Sequence, residues 1–232
     1  MRYEDLKARY EQMKKMFGTN AYEHVSQLLA EAKEQHKKDW ERNPTRAKDH
    51  EQSWRAFKGK NLEKLLADII KDEVEALGLR VVNGNTLERA ERLNDELARV
   101  KNNLLIDYNE FGKHLPDVDL IIYSPKTYKI LAVVSSKVTL RERIAQTGYW
   151  KIKLSHQKKT RHIKVFFVTP DEDKTLSKKE PTKKGRAIVE MDTNGTYVMS
   201  ESVIEESEKV KPFRKFIADL RKLLCQERQS KK

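Results

Sequence analysis

The chain has 232 residues, 36% of them charged and 38% hydrophobic, with a formal net charge of +12. That length suits one domain with an appendage or two small ones, and the positive excess points to a polyanion: DNA, RNA or an anionic membrane face. One cysteine, Cys225, excludes an internal disulfide and argues against a thiolate zinc site; no apolar run reaches membrane-spanning length and no signal-peptide core is present, so a cytoplasmic protein is expected.

The first third reads as helix. Residues 3–16 and 21–40 carry apolar side chains at three- and four-residue spacing, Val25, Leu28, Leu29 and Ala32 among them. Asn43-Pro44 breaks this region and a short helix resumes through Trp54. Residues 61–76 then repeat the stripe through Leu62, Leu65, Leu66, Ile69, Ile70 and Val74, with Gly78 as a stop. A short strand over 79–82 leads to the turn signal Asn83-Gly84-Asn85, and 87–100 reads as another helix.

Strand-like runs follow at 120–123, 130–135, 163–169 and 187–191, with 197–199 as a hairpin return over Asn194-Gly195. A helix over 139–154 separates the second from the third. An amphipathic helix over 212–226 closes the chain, with Cys225 read as a packed thiol on its apolar face. The expected fold is α/β: a mixed central sheet flanked by helices, with an N-terminal helical region over 1–55 and the core over 56–232. Residues 174–186, rich in lysine around Pro181 and Gly185, read as a flexible basic loop.

The chemistry concentrates between Leu115 and Trp150. Asp117 and Asp119 open one candidate strand, and Lys137 sits where the next one ends. Alternation predicts that the two aspartates share a face, as do Ser135 and Lys137. The strands are close enough in sequence to be hairpin partners, which would bring the acids to the lysine. Carboxylates suit a hard cation such as Mg2+, and a nearby ammonium can orient an attacking water. In a strongly basic chain, that combination suits hydrolysis of a phosphodiester.

The order Pro116-Asp117…Ser135-Ser136-Lys137, strand to strand, resembles the signature of the PD-(D/E)xK nuclease superfamily. Ser-x-Lys followed by Leu140-Arg141-Glu142-Arg143 is similar to a group of type II restriction endonucleases. The resemblance covers residues 57–170 and, more loosely, the C-terminal helix. It implies a restriction-endonuclease-like sheet, Mg2+-dependent cleavage of double-stranded DNA at a short specific sequence, 5′-phosphate ends and a homodimer. It also implies an acidic residue on the helix before the first core strand, for which Glu63 is placed. Where the superfamily carries an acid this chain has Ser135, and the resemblance points to Glu142 as a replacement, though Thr139-x-x-Glu142 also fits a capping box.

The candidate metal ligands are therefore Asp117, Asp119, Glu142 and Glu63, with Lys137 and Ser135 beside them. Arg141, Arg143, Lys151, Lys153, Lys178, Lys179, Lys183 and Lys184 are the candidate phosphate contacts. The basic N-terminal helices, with Lys14, Lys15, Lys37, Lys38 and Arg46, suit either embracing a duplex or dimerising. Two alternatives stay open: a repair or junction-resolving nuclease of the same fold, and a non-catalytic DNA-binding protein on a decayed nuclease scaffold.

Overall fold

A computed structural model describes residues 1–44, 47–138 and 143–229. Arg46, Arg141 and Glu142 lie outside the described residues, and of Arg143 only the backbone is described. The N-terminal layer is helical: α1 (Tyr3–Phe17), a 3-10 turn (Gly18–His24), α2 (Val25–Arg42) and α3 (His50–Ala76). Asp49 caps α3 by accepting from the Gln52 N–H at 2.8 Å. The helix ends where Gly78 takes a φ of +76°, a left-handed conformation that favours glycine. α3 runs unbroken through Gly59, which replaces the expected short helix and its separate successor by one long element.

After α3 come β1 (Arg80–Asn83), α4 (Gly84–Arg89), α5 (Asp95–Leu104), and a small hairpin of β2 (Ile106–Asp107) and β3 (Lys113–His114). Then follow β4 (Leu120–Tyr123), β5 (Ile130–Ser136), α6 (Arg143–Ser155), β6 (Lys164–Thr169), α7 (Lys184–Asp192), β7 (Gly195–Val198), β8 (Val210–Pro212) and α8 (Phe216–Gln229). The main sheet has the order β1-β4-β5-β6-β7-β8. Its first three strands pair antiparallel and the rest parallel, so the sheet is mixed. β4 and β5 are buried along their whole length, which explains why Leu120–Tyr123 and Ile130–Val134 are continuous apolar runs rather than alternating ones.

One face of the sheet, through Leu120, Ile122, Ala132, Val134, Phe166 and Val168, packs on α3. There Leu62, Leu65, Leu66, Ile70 and Val74 are all fully buried at helical spacing. The same apolar cluster takes in Leu6, Val25, Leu28 and Leu29 of α1 and α2, so N-terminal helices and sheet share a core. The opposite face, through Ile121, Val133 and Val165, packs on Val100 and Leu104 of α5 and on Leu154 and Trp150 of α6.

Several expectations are corrected. Residues 187–191 form part of α7, not a strand: strand alternation would put Met191 on the face of Val189, yet Val189 is fully buried and Met191 is 72% exposed. β7 does not return as a hairpin, because it pairs parallel to β6 and needs the α7 crossover. The stretch read as one helix over 87–100 is two, divided at Asn94, which caps α5 through Leu97 N. Asn83-Gly84-Asn85 starts α4, with the Asn83 side chain accepting from Asn85 N at 2.9 Å. Cys225 is exposed, since α8 buries Phe216 and Leu220 on another side.

The basic segment 174–186 is also better held than expected. Asp171 accepts from Thr175 N and Leu176 N, both at 2.9 Å, and Leu176 is fully buried. The buried Arg186 guanidinium bonds Leu176 O, Glu190 and Glu205 O. Lys178, Lys179, Lys183 and Lys184 remain exposed around that frame.

Removing Leu66 from the face of α3 should leave a cavity. Leu66→Ala is expected to cost about 2–5 kcal/mol by chemical unfolding, while Met191→Ala, at an exposed position, stays within about 0.5 kcal/mol.

Candidate active site

The end of β5 and the approach to β4 bring one acid and one amine together. Lys137 Nζ donates to both oxygens of Asp119, at 2.9 and 2.8 Å. It also reaches Glu63 Oε1 on α3 at 3.4 Å. Their side chains are largely withdrawn from water: Asp119 is 8% exposed, Glu63 13% and Lys137 17%.

Asp119 is fixed on three sides. Its N–H donates to Val134 O at 3.1 Å, and its Oδ2 accepts from the Ser136 N–H at 2.6 Å. Its carbonyl accepts from the Gly84 N–H at 2.8 Å. Gly84 can approach so closely because it lacks a side chain; a Cβ there would stand 1.9 Å from Val118 O. Sequence reasoning missed both supports. Gly84 was visible only as a turn residue, and a backbone N–H such as that of Ser136 carries no residue-type signal at all.

Two carboxylates share one ammonium. Burial first, then the charge of Asp119, pushes Glu63 up to about 7, with Lys137 opposing. The surplus of negative charge and the all-oxygen donor set fit a hard divalent cation, which keeps several waters and needs few protein carboxylates. Among the described residues no group of three acids, histidines or cysteines gathers; Asp119 and Glu63 are the two carboxylates within reach of Lys137.

Asp117 does not join them. It is exposed, and its Oδ2 accepts from Gln146 Nε2 of α6 at 2.6 Å. The expected shared face fails because both aspartates precede β4, where strand alternation does not apply. Ser135 is buried in the parallel register opposite Phe167. The neighbouring Ser136 Oγ is buried and has no hydrogen-bond partner among the described residues.

The candidate phosphate contacts are scattered. Lys151 Nζ bonds Met191 O at 2.8 Å, and burial holds it below the usual lysine range. Lys153 lies over the rings of Tyr108 and Tyr149, at 5.3 and 5.4 Å. Lys183 Nζ bonds Lys174 O at 3.0 Å.

Two outcomes follow. Gly84→Ala must push back the Val118 carbonyl and is expected to cost about 1–3 kcal/mol by chemical unfolding. Glu63 titrates higher folded than unfolded, so ionising it opposes folding once pH passes the ordinary glutamate range, in full above about 7. In chelator, Glu63→Gln should therefore raise the melting temperature at pH 8 more than at pH 5; an equal shift at both refutes this.

The comparisons with known proteins fall on the same region. A model of the BsaWI type 2 restriction endonuclease family matches residues 96–219, which include Asp119 and Lys137. The chain is 38% identical over 174 residues to "Putative type II restriction enzyme MjaVIP" of Methanocaldococcus jannaschii, covering 73% of this chain and 76% of that protein. It is 41% identical over 125 residues to "Probable type II restriction enzyme HpyAORF263P" of Helicobacter pylori, covering 54% and 64% respectively. The crystal structure of the restriction endonuclease AgeI in complex with DNA superposes with a TM-score of 0.55 at 13% identity, over 95% of this chain and 91% of that one, a likeness of fold. The chain, which brings Asp119 and Lys137 together at the end of β5, thus belongs to the BsaWI family of type II restriction endonucleases.

Proposed function

We propose that this protein hydrolyses both strands of duplex DNA at a short specific sequence, with Mg2+, as a homodimer working in the cytoplasm. The observation that carries this reading is the contact of Lys137 Nζ with Asp119 and Glu63, largely withdrawn from water at the ends of two central strands, in a chain with net charge +12. Asp119 and Glu63 would hold the cation; Glu142, which lies outside the described residues, is the candidate by resemblance for the acid that Ser135 does not supply. When bound, the metal offers a Lewis acid beside the scissile phosphate and makes a bound water more acidic.

The chain's own residues do the rest. Ser136 N–H and Gly84 N–H keep Asp119 in place. Lys137 would donate to the attacking water and to a non-bridging phosphate oxygen, where charge builds up. The water oxygen bonds to phosphorus as the water gives up a proton to solvent, the bond from phosphorus to O3′ breaks with its electron pair on O3′, and O3′ takes up a proton from solvent. A 5′-phosphate and a 3′-hydroxyl result. A two-fold symmetric site would need one such centre per strand, which a homodimer supplies.

Purified protein with phage DNA and Mg2+ is expected to give discrete bands ending in 5′-phosphate, and none in chelator. Asp119→Ala and Lys137→Ala should each lower cleavage by at least about 100-fold, with duplex binding retained. Asp117→Ala, at an exposed residue away from the lysine, should lower it by less than about tenfold. Cutting at the parent's level by both the Asp119 and Lys137 variants would sink the enzymatic reading, and a smear or structure-selective nicking would favour a repair nuclease.

A further inference from the structure

The β2–β3 hairpin is small, rigid and oddly dressed. Gln157 holds it from both sides, donating from Nε2 to Asp107 O at 2.9 Å and accepting the Asp107 N–H at 3.2 Å. Tyr108 packs edge-on against His114 and shares the Lys153 ammonium with Tyr149. At the tip, Asn109 and Gly112 take φ values of 57° and 81°, and Tyr108 N–H closes the loop onto Gly112 O at 2.9 Å. A tip so well fastened carries Phe111 outward, 74% exposed, with Tyr149 and Ile152 of α6 exposed nearby in the chain's fold at 42% and 51%. Beside the hairpin opens a hollow of about 520 Å³ lined by Lys113, Lys158 and Lys159 together with Asp107, Asn109 and Gln157; Lys113 stands 3.8 Å from Asp107 and Lys159 Nζ donates to Asn102 O at 2.6 Å.

An exposed aromatic on a stiff hairpin beside a lysine-lined hollow fits a polyanion with apolar edges. Duplex DNA offers both, as phosphates and as deoxyribose and base edges. A second copy of this chain is the poorer match, since each copy carries +12 and would bring like charge to the lysines. α6 sets the distance. Gln146, which holds Asp117 next to the Asp119 approach, and Tyr149 and Lys153, which hold the hairpin, share one stripe of that helix. Seven residues of helix span about 10 Å, or about three base pairs of rise.

We propose that this hairpin is a second DNA-holding element, which grips the duplex about three to five base pairs from the cleavage position. Phe111 lies against the sugar and base edges of the flank, and the lysines of the hollow take its phosphates. The inference rests on the nuclease reading only for the choice of duplex; the grip itself is read by binding.

The test measures binding without Mg2+ on a duplex of about 30 base pairs and on one cut back to about 4 base pairs either side of the mapped cleavage position. Phe111→Ala is expected to weaken binding of the long duplex about tenfold, to match the parent on the short one, and to raise KM with kcat unchanged. Lys113→Ala and Lys158→Ala should each lower the slope of log Kd against log salt by about 1. If Phe111→Ala binds the long duplex as the parent does, the proposal is overturned. It is also overturned if the variant instead loses a dimer in sedimentation, for then the surface is an interface between copies. A parent that grips the long duplex through Phe111 yet never cuts would defeat the nuclease reading and leave the grip standing.

Discussion

The structure turns on a salt bridge kept partly out of water. Asp119 and Lys137 meet within hydrogen-bond distance where β4 begins and β5 ends, in the middle of the sheet, and Glu63 adds a second acid to the same amine. Desolvating charges in this way contributes little to folding, because the loss of hydration offsets most of the attraction. Perturbed groups of this kind are enriched at functional sites. Glu63 is raised first by burial and then by the charge of Asp119, with Lys137 opposing.

That cluster draws on three separate parts of the chain, and the scaffold supplies the precision. β4 and β5 are buried on both faces, and their register is held by the ladder that pairs Leu120 with Val134 and by the bonds of Asp119 to Val134 O and Ser136 N–H. α3 lies across them on Leu62, Leu65 and Leu66, which fixes Glu63 within reach of Lys137. Gly84 lets the start of α4 press against the 118–119 backbone and donate a hydrogen bond to it. Stability from the core is thus used to hold three groups that, left alone, would separate into solvent.

Around this centre the basic character of the chain is unevenly deployed. Several lysines that look free in sequence are engaged, Lys151 and Lys183 on backbone carbonyls and Lys153 on two tyrosine rings. Others stand open on pinned frames, as in the segment after β6 held by Asp171 and Arg186, or at Lys158 in the hollow beside the β2–β3 hairpin, where Lys113 pairs with Asp107 and Lys159 bonds Asn102 O. α6 links hairpin and site, reaching Asp117 through Gln146 at one end and Tyr108 through Lys153 at the other. No helix among the described residues is long and apolar enough to cross a membrane.

Much of this was legible from residues alone, because the strongest signals are periodic. The stripe of α3 and the apolar runs of β4 and β5 announced a mixed sheet under helices, and Lys137 at the end of β5 stood out as a charge in an apolar context. Local pattern failed where partners decide. Residues 187–191 are short and apolar enough for a strand, and only the parallel pairing of β7 with β6 demands a crossover helix there. Asp117 and Asp119 are chemically equivalent in the sequence, yet one faces water and Gln146 while the other is enclosed with Lys137. Residue types and spacing determine which groups can do chemistry. Which of them meet is a matter of backbone bonds and close approaches, such as Ser136 N–H and Gly84, that exist only once distant segments pack.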